Sequence, residues 1–347
     1  MRVLVTGNLG YVGTVMTPLL ERDGHEVRGL DTGYFDRCVM GDLGASGVSQ
    51  QLDRDIREVE PADVAGVDAV IHLAGLSNDP TGDLDPRLTE AINLEGTVRL
   101  AEVAKRAGVS RFLFASSCSI YGQGDGGALT EAAEFNPLTA YARSKVAAEA
   151  ALHRLADSGF SPVYLRNATA YGFSPRLRFD IVVNNLTGWA FTTGEVKLLS
   201  DGRAWRPLVH VEDMSRAFAA TLRAPRDRVH DQALNVGREQ DNFQIRDIAE
   251  AVARELPRCR VTFAEGASAD SRNYNVSFAR IRERLPEFQP QWDVAKGIRQ
   301  LHAAFKRNGL TYEQFAGREF TRLKQLQHLL EREALRGDLM WNPVAKA

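Results

Sequence analysis

The sequence predicts an α/β fold built on a doubly wound parallel sheet, followed by a smaller α/β region. Short apolar strands alternate with amphipathic helices through the first half of the chain, as in βαβ units of a sheet covered on both faces. The first strand, Met1–Thr6, is apolar and rich in β-branched residues, which is typical of a strand buried on both faces. At 347 residues the chain is long enough for one large domain or two closely associated ones.

A glycine-rich turn follows the first strand and leads into the amphipathic stretch Thr14–Asp23. Strand, turn and helix together predict a dinucleotide-binding unit of the Rossmann type. Glycines let backbone N–H groups approach a pyrophosphate at the helix N-terminus, where the helix dipole favours anions. The residues assigned to this cofactor contact are Gly7, Gly10, Tyr11, Val12 and Gly13.

The second strand, His25–Leu30, ends at Asp31, roughly 20 residues after the glycine turn. A carboxylate at this spacing accepts hydrogen bonds from the hydroxyls of the adenosine ribose. It would repel a 2′-phosphate, and Thr32 and Gly33 supply no arginine to receive one. The sequence therefore favours NAD over NADP.

The remaining elements follow from periodicity and turn residues. Predicted strands are Ala69–Ala74, Arg111–Ala115, Ser161–Leu165 and Val196–Leu199, and predicted helices are Ile92–Ala107, Ala140–Ala156, Asp180–Thr192 and Val211–Leu222. We divide the chain into a Rossmann domain at residues 1–172, to whose sheet later segments return, a second region at 173–310, and a helical C-terminal extension at 311–347.

The extension is predicted to be a charged helix, Tyr312–Arg336, with an apolar stripe. The stripe consists of Phe315, Phe320, Leu323, Leu326, Leu329 and Leu330. Packing of this stripe on its own domain is favoured over a contact between subunits.

Charge and composition exclude several protein classes. Net charge is −2 and the pI is about 6.4, with both signs interspersed, so neither nucleic acid nor a membrane surface is an expected partner. Cys38, Cys118 and Cys259 have neither metal-ligand spacing nor the even count of a disulfide framework. The first strand begins at Met1, which leaves no room for a signal peptide, and no apolar run could span a bilayer. We therefore expect a cytoplasmic protein without a bound metal.

Tyr141 and Lys145 stand four residues apart on a predicted helix, so they share one face. A lysine ammonium beside a phenol favours the ionised phenol, which is a base. Ser117 lies 24 residues before Tyr141, at the end of a predicted strand. Together the three residues suggest acid–base chemistry beside the dinucleotide.

Taken together, these motifs resemble the extended short-chain dehydrogenases/reductases, in particular the NAD-dependent nucleotide-sugar epimerase/dehydratase family. The resemblance runs from Met1 to about Phe305. It is carried by the glycine turn, Asp31, Asp55-Ile-Arg57, His72-Leu-Ala-Gly75, Asn93, Ser116-Ser-Cys-Ser-Ile-Tyr-Gly122, Tyr141 with Lys145, and Arg206-Pro-Leu-Val-His-Val-Glu-Asp213.

The resemblance implies an enzyme that binds NAD and a nucleotide-diphosphate sugar. Tyr141 would take a proton from a sugar hydroxyl, Ser117 would hydrogen-bond the same oxygen, and Lys145 would also hold the nicotinamide ribose. Further cofactor contacts would come from Asp55, Ile56, Leu73, Ala74, Gly75 and Asn93. Helices Ile92–Ala107 and Ala140–Ala156 match the segments that form a four-helix dimer interface, so a homodimer is expected.

The resemblance places the nucleotide sugar in region 173–310. Arg206 matches the diphosphate-binding arginine, and Asn185 resembles a residue that meets a phosphate through its amide. Arg272 is a candidate for a second diphosphate-binding arginine, and an ordinary surface arginine at this position is an equally supported interpretation. Ser77, Cys118, Ser119 and Thr169 are the other substrate candidates, with Thr169 standing where the family usually has asparagine; Asn167 is a possible substitute for it.

Dehydratases of the family carry an Asp-Glu pair directly after the hydroxyl residue, and here Cys118 and Ser119 occupy those positions. Without carboxylates, oxidation at C4 followed by hydride return is favoured, which makes the chain a C4 epimerase acting through a 4-keto intermediate. A 4-dehydrogenase or 4-ketoreductase with net redox is the first alternative. A dehydratase that uses Cys118 is the second, and an NAD-sensing module without catalysis is the third.

Overall fold

The computed structural model describes residues 1–44, 46–77, 85–256, 258–268 and 272–343. Its centre is a sheet of seven parallel strands in the order β11-β7-β5-β4-β1-β2-β3. The strands run β1 Arg2–Thr6, β2 Glu26–Asp31, β3 Gln50–Asp53, β4 Ala69–His72, β5 Arg111–Ser117, β7 Ser161–Asn167 and β11 Gln232–Val236. This arrangement confirms the predicted Rossmann-type α/β fold.

Successive side chains of the strands point to opposite faces of this sheet, and helices cover both faces. Each face therefore has its own apolar core. Val3 and Val5 face a core shared with helices α1, Gly13–Arg22, and α6, Val211–Arg223. The opposite face, which includes Leu4, packs against α3, Gly96–Arg106, and α4, Ala140–Leu155. Short helices α2, Pro86–Glu90, and α7, Arg226–Val229, complete this part.

From β1 the chain continues to β2 and β3 on one side of the sheet, and from β4 it continues to β5 and β7 on the other side. The strand order therefore reverses between β1 and β4. In open α/β sheets the ligand lies outside the carboxyl ends of the strands at such a switch point. The glycine turn after β1 and residues 73–77 after β4 both lie there. This edge therefore positions the site.

Three smaller sheets and a third apolar core lie outside the seven-stranded sheet. The sheets contain β8 Thr169–Tyr171, β10 Trp205–His210 and β12 Asn242–Gln244; β9 Glu195–Ser200 with β13 Arg260–Ser268; and β6 Gln123–Leu129 with β14 Asn273–Val276. The remaining helices are α5 Val182–Thr193, α8 Ile245–Glu255, α9 Ala279–Arg284 and α10 Val294–Asn308, followed in the C-terminal extension by α11 Tyr312–Ala316 and α12 Arg322–Glu331.

Two differences between the predicted and observed element boundaries bear on the site. The strand predicted at Ala69–Ala74 ends at His72, so Leu73 and Ala74 belong to the loop at the switch point. Instead of starting at Ile92, the next helix begins at Pro86 and passes through a π-helical turn, Ala91–Glu95. Asp85 caps that helix by accepting from the N–H of Arg87, which fixes the earlier start.

The single helix predicted for the extension is wrong: the chain breaks between α11 and α12. Phe315 and Phe320 are five residues apart, so one straight helix would point them to different faces. The break lets both rings pack on Phe179, with ring centres 4.8 and 5.7 Å away. The stripe packs on its own chain as predicted, since Leu326 is fully buried against the Rossmann sheet.

Candidate functional site

A continuous cavity of about 790 Å³ lies at the switch point and extends under the second region. Nineteen of the 22 residues predicted as site residues line it. They are Gly7, Gly10, Tyr11, Val12, Asp31, Asp55, Ile56, Leu73, Ala74, Gly75, Ser77, Ser117, Ser119, Tyr141, Lys145, Thr169, Asn185, Arg206 and Arg272. Gly13, Asn93 and Cys118 do not belong to its wall.

The glycine turn is close-packed in a way that side chains would prevent. A Cβ on Gly7 would lie 2.7 Å from the backbone nitrogen of Ala74, and one on Gly13 would lie 2.4 Å from the Cα of Asn8. Gly7 also has a φ of +73°, a conformation that favours glycine. The turn therefore lies tightly between β4 and α1, as a pyrophosphate site requires, and Gly13 serves this packing instead of lining the cavity.

Asp31 is held in place at the adenosine end of the cavity. Its Oδ2 accepts from the N–H of Leu9 at 3.0 Å and its Oδ1 from that of Gly33 at 2.9 Å. Burial raises the pKa of Asp31. Each oxygen keeps a lone pair for a ribose hydroxyl. The nearby cation Arg54 is paired with Glu60 and Asp63 at 3.3 and 3.2 Å, so it does not offer a free charge to a 2′-phosphate.

Asn93 does not line the cavity; it supports the loop after β4, which does. Its side chain accepts from the N–H of Leu76 at 2.8 Å and donates to the Leu76 carbonyl at 3.0 Å. It also donates to the hydroxyl of Ser144 on α4 at 3.2 Å. The predicted direct cofactor contact is therefore replaced by a positioning contact, which fixes the loop of Leu73–Leu76 against the helix that carries Tyr141 and Lys145.

Tyr141 and Lys145 lie one turn apart at the start of α4. Thr139 caps this helix by accepting from the N–H of Ala142 at 3.1 Å, so Tyr141 falls in the first turn. The Lys145 Nζ donates to the Ala115 carbonyl at 2.8 Å and lies 5.6 Å from the centre of the Tyr141 ring. Burial lowers the pKa of Lys145 to about 8, while Glu149 opposes that shift.

In the turn after β5, some side chains point into the cavity and others into the core. Ser117 and Ser119 line the cavity, and the Ser117 Oγ accepts from the N–H of Ser119 at 3.1 Å. The Ser119 Oγ is buried and has no hydrogen-bond partner within the described part of the chain. It is therefore available to a ligand hydroxyl.

Cys118 turns the other way. Its side chain is 1% exposed, belongs to the core, and donates to the Arg166 carbonyl at 3.1 Å. Burial raises the pKa of its thiol well above the usual range. The expectation that Cys118 contacts substrate is corrected by this placement, because successive residues of the turn point to opposite sides.

The far end of the cavity is cationic. Arg206 on β10 is buried, donates through Nη1 to the carbonyls of Trp205 and Arg272, and lies over the Tyr274 ring. Arg272, whose carbonyl accepts from Arg206, also lines the cavity, as does Lys197 on β9. Two arginines and a lysine here suit a diphosphate.

Asn185 and Asn167, which also line the cavity, differ in whether a side-chain N–H donor remains unused. Asn185 Nδ2 donates to the Phe179 carbonyl at 2.8 Å, which leaves its second N–H for a phosphate. Asn167 Nδ2 donates to the carbonyls of Ser116 and Leu165 at 3.0 and 2.9 Å, so both of its donors are used. Asn167 therefore does not supply the amide donor that Thr169 lacks.

Sequence reasoning missed several wall residues. Arg178 and Asp180 form an ion pair of 2.7 Å, and Arg178 donates to the hydroxyl and carbonyl oxygens of Ser77 at 2.9 and 2.8 Å. Arg322 and Leu326 reach the wall from the C-terminal extension. The only sequence signal for Arg178 was its position shortly after Tyr171-Gly172, and none marked Arg322.

The model of the NAD dependent epimerase/dehydratase family matches residues 3–237 of this chain. The chain belongs to that family. A UDP-glucose 4-epimerase from Mycolicibacterium smegmatis is 30% identical over 310 residues, covering 86% of this chain and 96% of the relative. A dTDP-glucose 4,6-dehydratase from an Actinoplanes species is 27% identical, covering 89% and 98% respectively.

Among solved structures, MoeE5 in complex with UDP-glucuronic acid and NAD matches with a TM-score of 0.75 and 27% identity, covering 88% of this chain and 99% of MoeE5. The chain is an NAD-dependent enzyme of the extended short-chain dehydrogenase/reductase class. The predicted family and cofactor are thus confirmed. Across the described residues, no helix has the length and apolar character needed to cross a membrane.

Proposed function

We propose that this enzyme is a nucleotide-sugar 4-epimerase that works through a 4-keto intermediate. The observation that carries the proposal is the turn after β5, where Ser117 and Ser119 line the cavity while Cys118 is buried in the core. A 4,6-elimination needs an acid and a base at C6 in addition to the group that works at C4. Neither residue after Ser117 supplies a titratable group to the cavity.

Carboxylates elsewhere in the described wall do not fill that role. Asp31 and Asp55 lie at the adenosine end. Asp180 is buried and ion-paired with Arg178; despite the opposing effect of burial, that pairing keeps its pKa below the usual value. Asp180 thus stays ionised and balances the charge of Arg178, which makes it a poor general acid.

NAD, when bound, supplies the hydride acceptor and donor. Tyr141 takes the proton of the C4 hydroxyl as the alcohol is oxidised to the 4-ketone, and returns it when the ketone is reduced. Lys145 beside the phenol favours its ionised form, although burial makes the ammonium easier to deprotonate. Ser117 hydrogen-bonds the oxygen that alternates between alcohol and ketone, replacing water around a changing charge.

Inversion at C4 requires the ketone to present its other face before reduction. The diphosphate can stay at Arg206 and Arg272 during this movement, because the sugar is joined to it by single bonds. The Ser119 hydroxyl, which has no partner in the described structure, is available to a sugar hydroxyl in either orientation. The same set of residues then serves both half-reactions.

The substrate class follows from the cationic end and from the relatives. Relatives are named UDP-glucose 4-epimerase and UDP-glucuronate 4-epimerase, and MoeE5 was solved with UDP-glucuronic acid. These names support a nucleotide-diphosphate hexose or hexuronate as substrate of this chain. A dTDP-glucose 4,6-dehydratase is also among the relatives, so the reaction needs its own test.

The test is to incubate the NAD-loaded enzyme with UDP-glucose, UDP-glucuronic acid and dTDP-glucose, and to analyse the products by mass spectrometry and sugar NMR. Epimerisation gives an unchanged mass and an inverted C4 signal in at least one reaction. Loss of two hydrogens would establish net oxidation, and loss of water would establish dehydration. Either of these as the main product overturns the proposal.

A further inference from the structure

The end of the chain, residues 335–342, folds over the adenosine end of the NAD site. Tyr34, three residues after Asp31, donates through its hydroxyl to the Leu339 carbonyl at 2.5 Å. Trp341 Nε1 donates to the Thr32 carbonyl at 2.6 Å. Leu339 is fully buried in the core beneath the Rossmann sheet, so this segment is anchored and not merely in contact.

The adenine side of the site is tied to the same segment. Arg57 pairs with Asp55 at 2.8 Å and donates through Nη1 to the Asp338 carbonyl at 2.8 Å. Asp55 and Ile56 line the cavity beside Tyr34. The extension thus holds both loops that frame the adenosine end.

Arg322, the first residue of α12, reaches into the cavity from the extension. It is 4% exposed, its guanidinium lies 4.3 Å over the Phe35 ring, and its Nη2 donates to the Arg176 carbonyl at 2.7 Å. Its Nη1 is buried and finds no hydrogen-bond partner among the described residues. A buried guanidinium donor left unpaired is costly, so the position calls for an acceptor from a ligand.

The charge around Arg322 also calls for an anion. Arg176 and Arg178 lie close enough to act on it electrostatically, and burial together with the Arg178 charge lowers the pKa of Arg322 to about 10. Two carboxylates belong to this group, Asp180 paired with Arg178 and Asp36 paired with Arg176, so three guanidinium groups face two carboxylates. Arg322 lines the same cavity as Gly10 and Tyr11 of the glycine turn, where the pyrophosphate of a dinucleotide belongs.

We propose that Arg322 is an NAD-binding residue contributed by the C-terminal extension. Its Nη1 donates a hydrogen bond to a phosphate oxygen of NAD, and the extension closes the adenosine end so that NAD stays bound between turnovers. Retention suits a reaction in which the hydride removed from the sugar returns to it. The proposal concerns the cofactor site alone and does not depend on which sugar reaction the enzyme catalyses.

The test compares Arg322→Gln with Arg332→Gln, an exposed arginine at the end of the same helix. Protein stripped of cofactor is titrated by calorimetry with NAD, ADP-ribose and adenosine. Arg322→Gln should bind NAD and ADP-ribose at least tenfold more weakly and adenosine within about twofold of wild type, since adenosine has no phosphate. The Arg332→Gln control should match wild type for all three.

Retention is measured separately by exchange of bound NAD against an excess of isotopically labelled NAD, with circular dichroism as the check on folding. Release should be at least tenfold faster in Arg322→Gln and unchanged in the control. A folded Arg322→Gln protein with wild-type affinity and release rate overturns the proposal. An equal loss of affinity for adenosine and ADP-ribose also overturns it, because the arginine would then act only through packing of the tail.

Discussion

Replacing Cys118 with alanine is expected to leave turnover within about twofold of wild type. The side chain is 1% exposed, lies outside the cavity, and donates its thiol proton to the Arg166 carbonyl at 3.1 Å. Burial holds its pKa far above neutrality, so no thiolate is available at working pH. The substitution therefore tests whether the cysteine has any part in the reaction.

Its cost should appear in stability. The change deletes one buried sulfur, comparable to removing one methyl group from a core, and loses a weak hydrogen bond, which together cost about 1 kcal/mol. An unfolding entropy of about 2.1 cal/mol/K per residue amounts to roughly 0.7 kcal/mol/K for 347 residues. The Tm of Cys118→Ala should accordingly fall by about 1–2 °C.

The matched variant is Tyr141→Phe, which removes the proton acceptor and keeps the ring. Its kcat should fall by roughly 10²-fold or more, with NAD binding little changed. Both variants are assayed on the same turned-over nucleotide sugar, with calorimetry for NAD and thermal unfolding for Tm. A Cys118→Ala protein that is folded and NAD-bound, yet as inactive as Tyr141→Phe, would show that the cysteine moves a proton and would refute the epimerase proposal.

Three further predictions follow from the site and the fold. Because the predicted role of Asp31 is to accept from the ribose hydroxyls, NAD should bind at least tenfold tighter than NADP, about 1.4 kcal/mol, and equal affinities by calorimetry would contradict the assignment. Lys145 loses its proton as pH rises through about 8, so kcat/KM of the wild type should fall above that pH, whereas Lys145→Arg, which stays charged, should show no such fall; a wild-type profile flat to pH 10 would exclude this role. The protein should be a homodimer by light scattering at micromolar concentration, and a monomer mass there would rule out the helix pairing expected for Ile92–Ala107 and Ala140–Ala156.

Much of the cofactor site could be predicted because its signals are local. A strand, a glycine turn and a helix constrain one another within about 25 residues, and the spacing of Tyr141 and Lys145 fixes a shared helix face whatever surrounds it. Asp31 follows from the length of one helix and one strand. For these residues, the regular geometry of helices and strands converts a separation along the sequence into a defined separation in space.

Side-chain direction in irregular turns could not be predicted in this way. Ser117, Cys118 and Ser119 are consecutive, and only the packing of β5 against β7 decides that the middle one enters the core. Asn93 presents the same difficulty, since its partners Leu76 and Ser144 are 17 and 51 residues away. Both errors came from treating position in a motif as contact with the ligand.

The C-terminal extension shows most clearly where periodicity stops being informative. The apolar stripe correctly indicated burial of Leu326, but Arg322 lies outside the stripe, and the pattern gave no signal for it. In the fold, that arginine lies beside Phe35, 287 positions earlier in the chain, and is nearly as buried as the stripe itself. Whether such a charged side chain is exposed or buried depends on contacts with residues far away in the sequence. A buried guanidinium with an unpaired N–H donor is suited to bind an anion. A residue that sequence patterning would class as solvent-facing is therefore one of those that join the extension to the cavity wall.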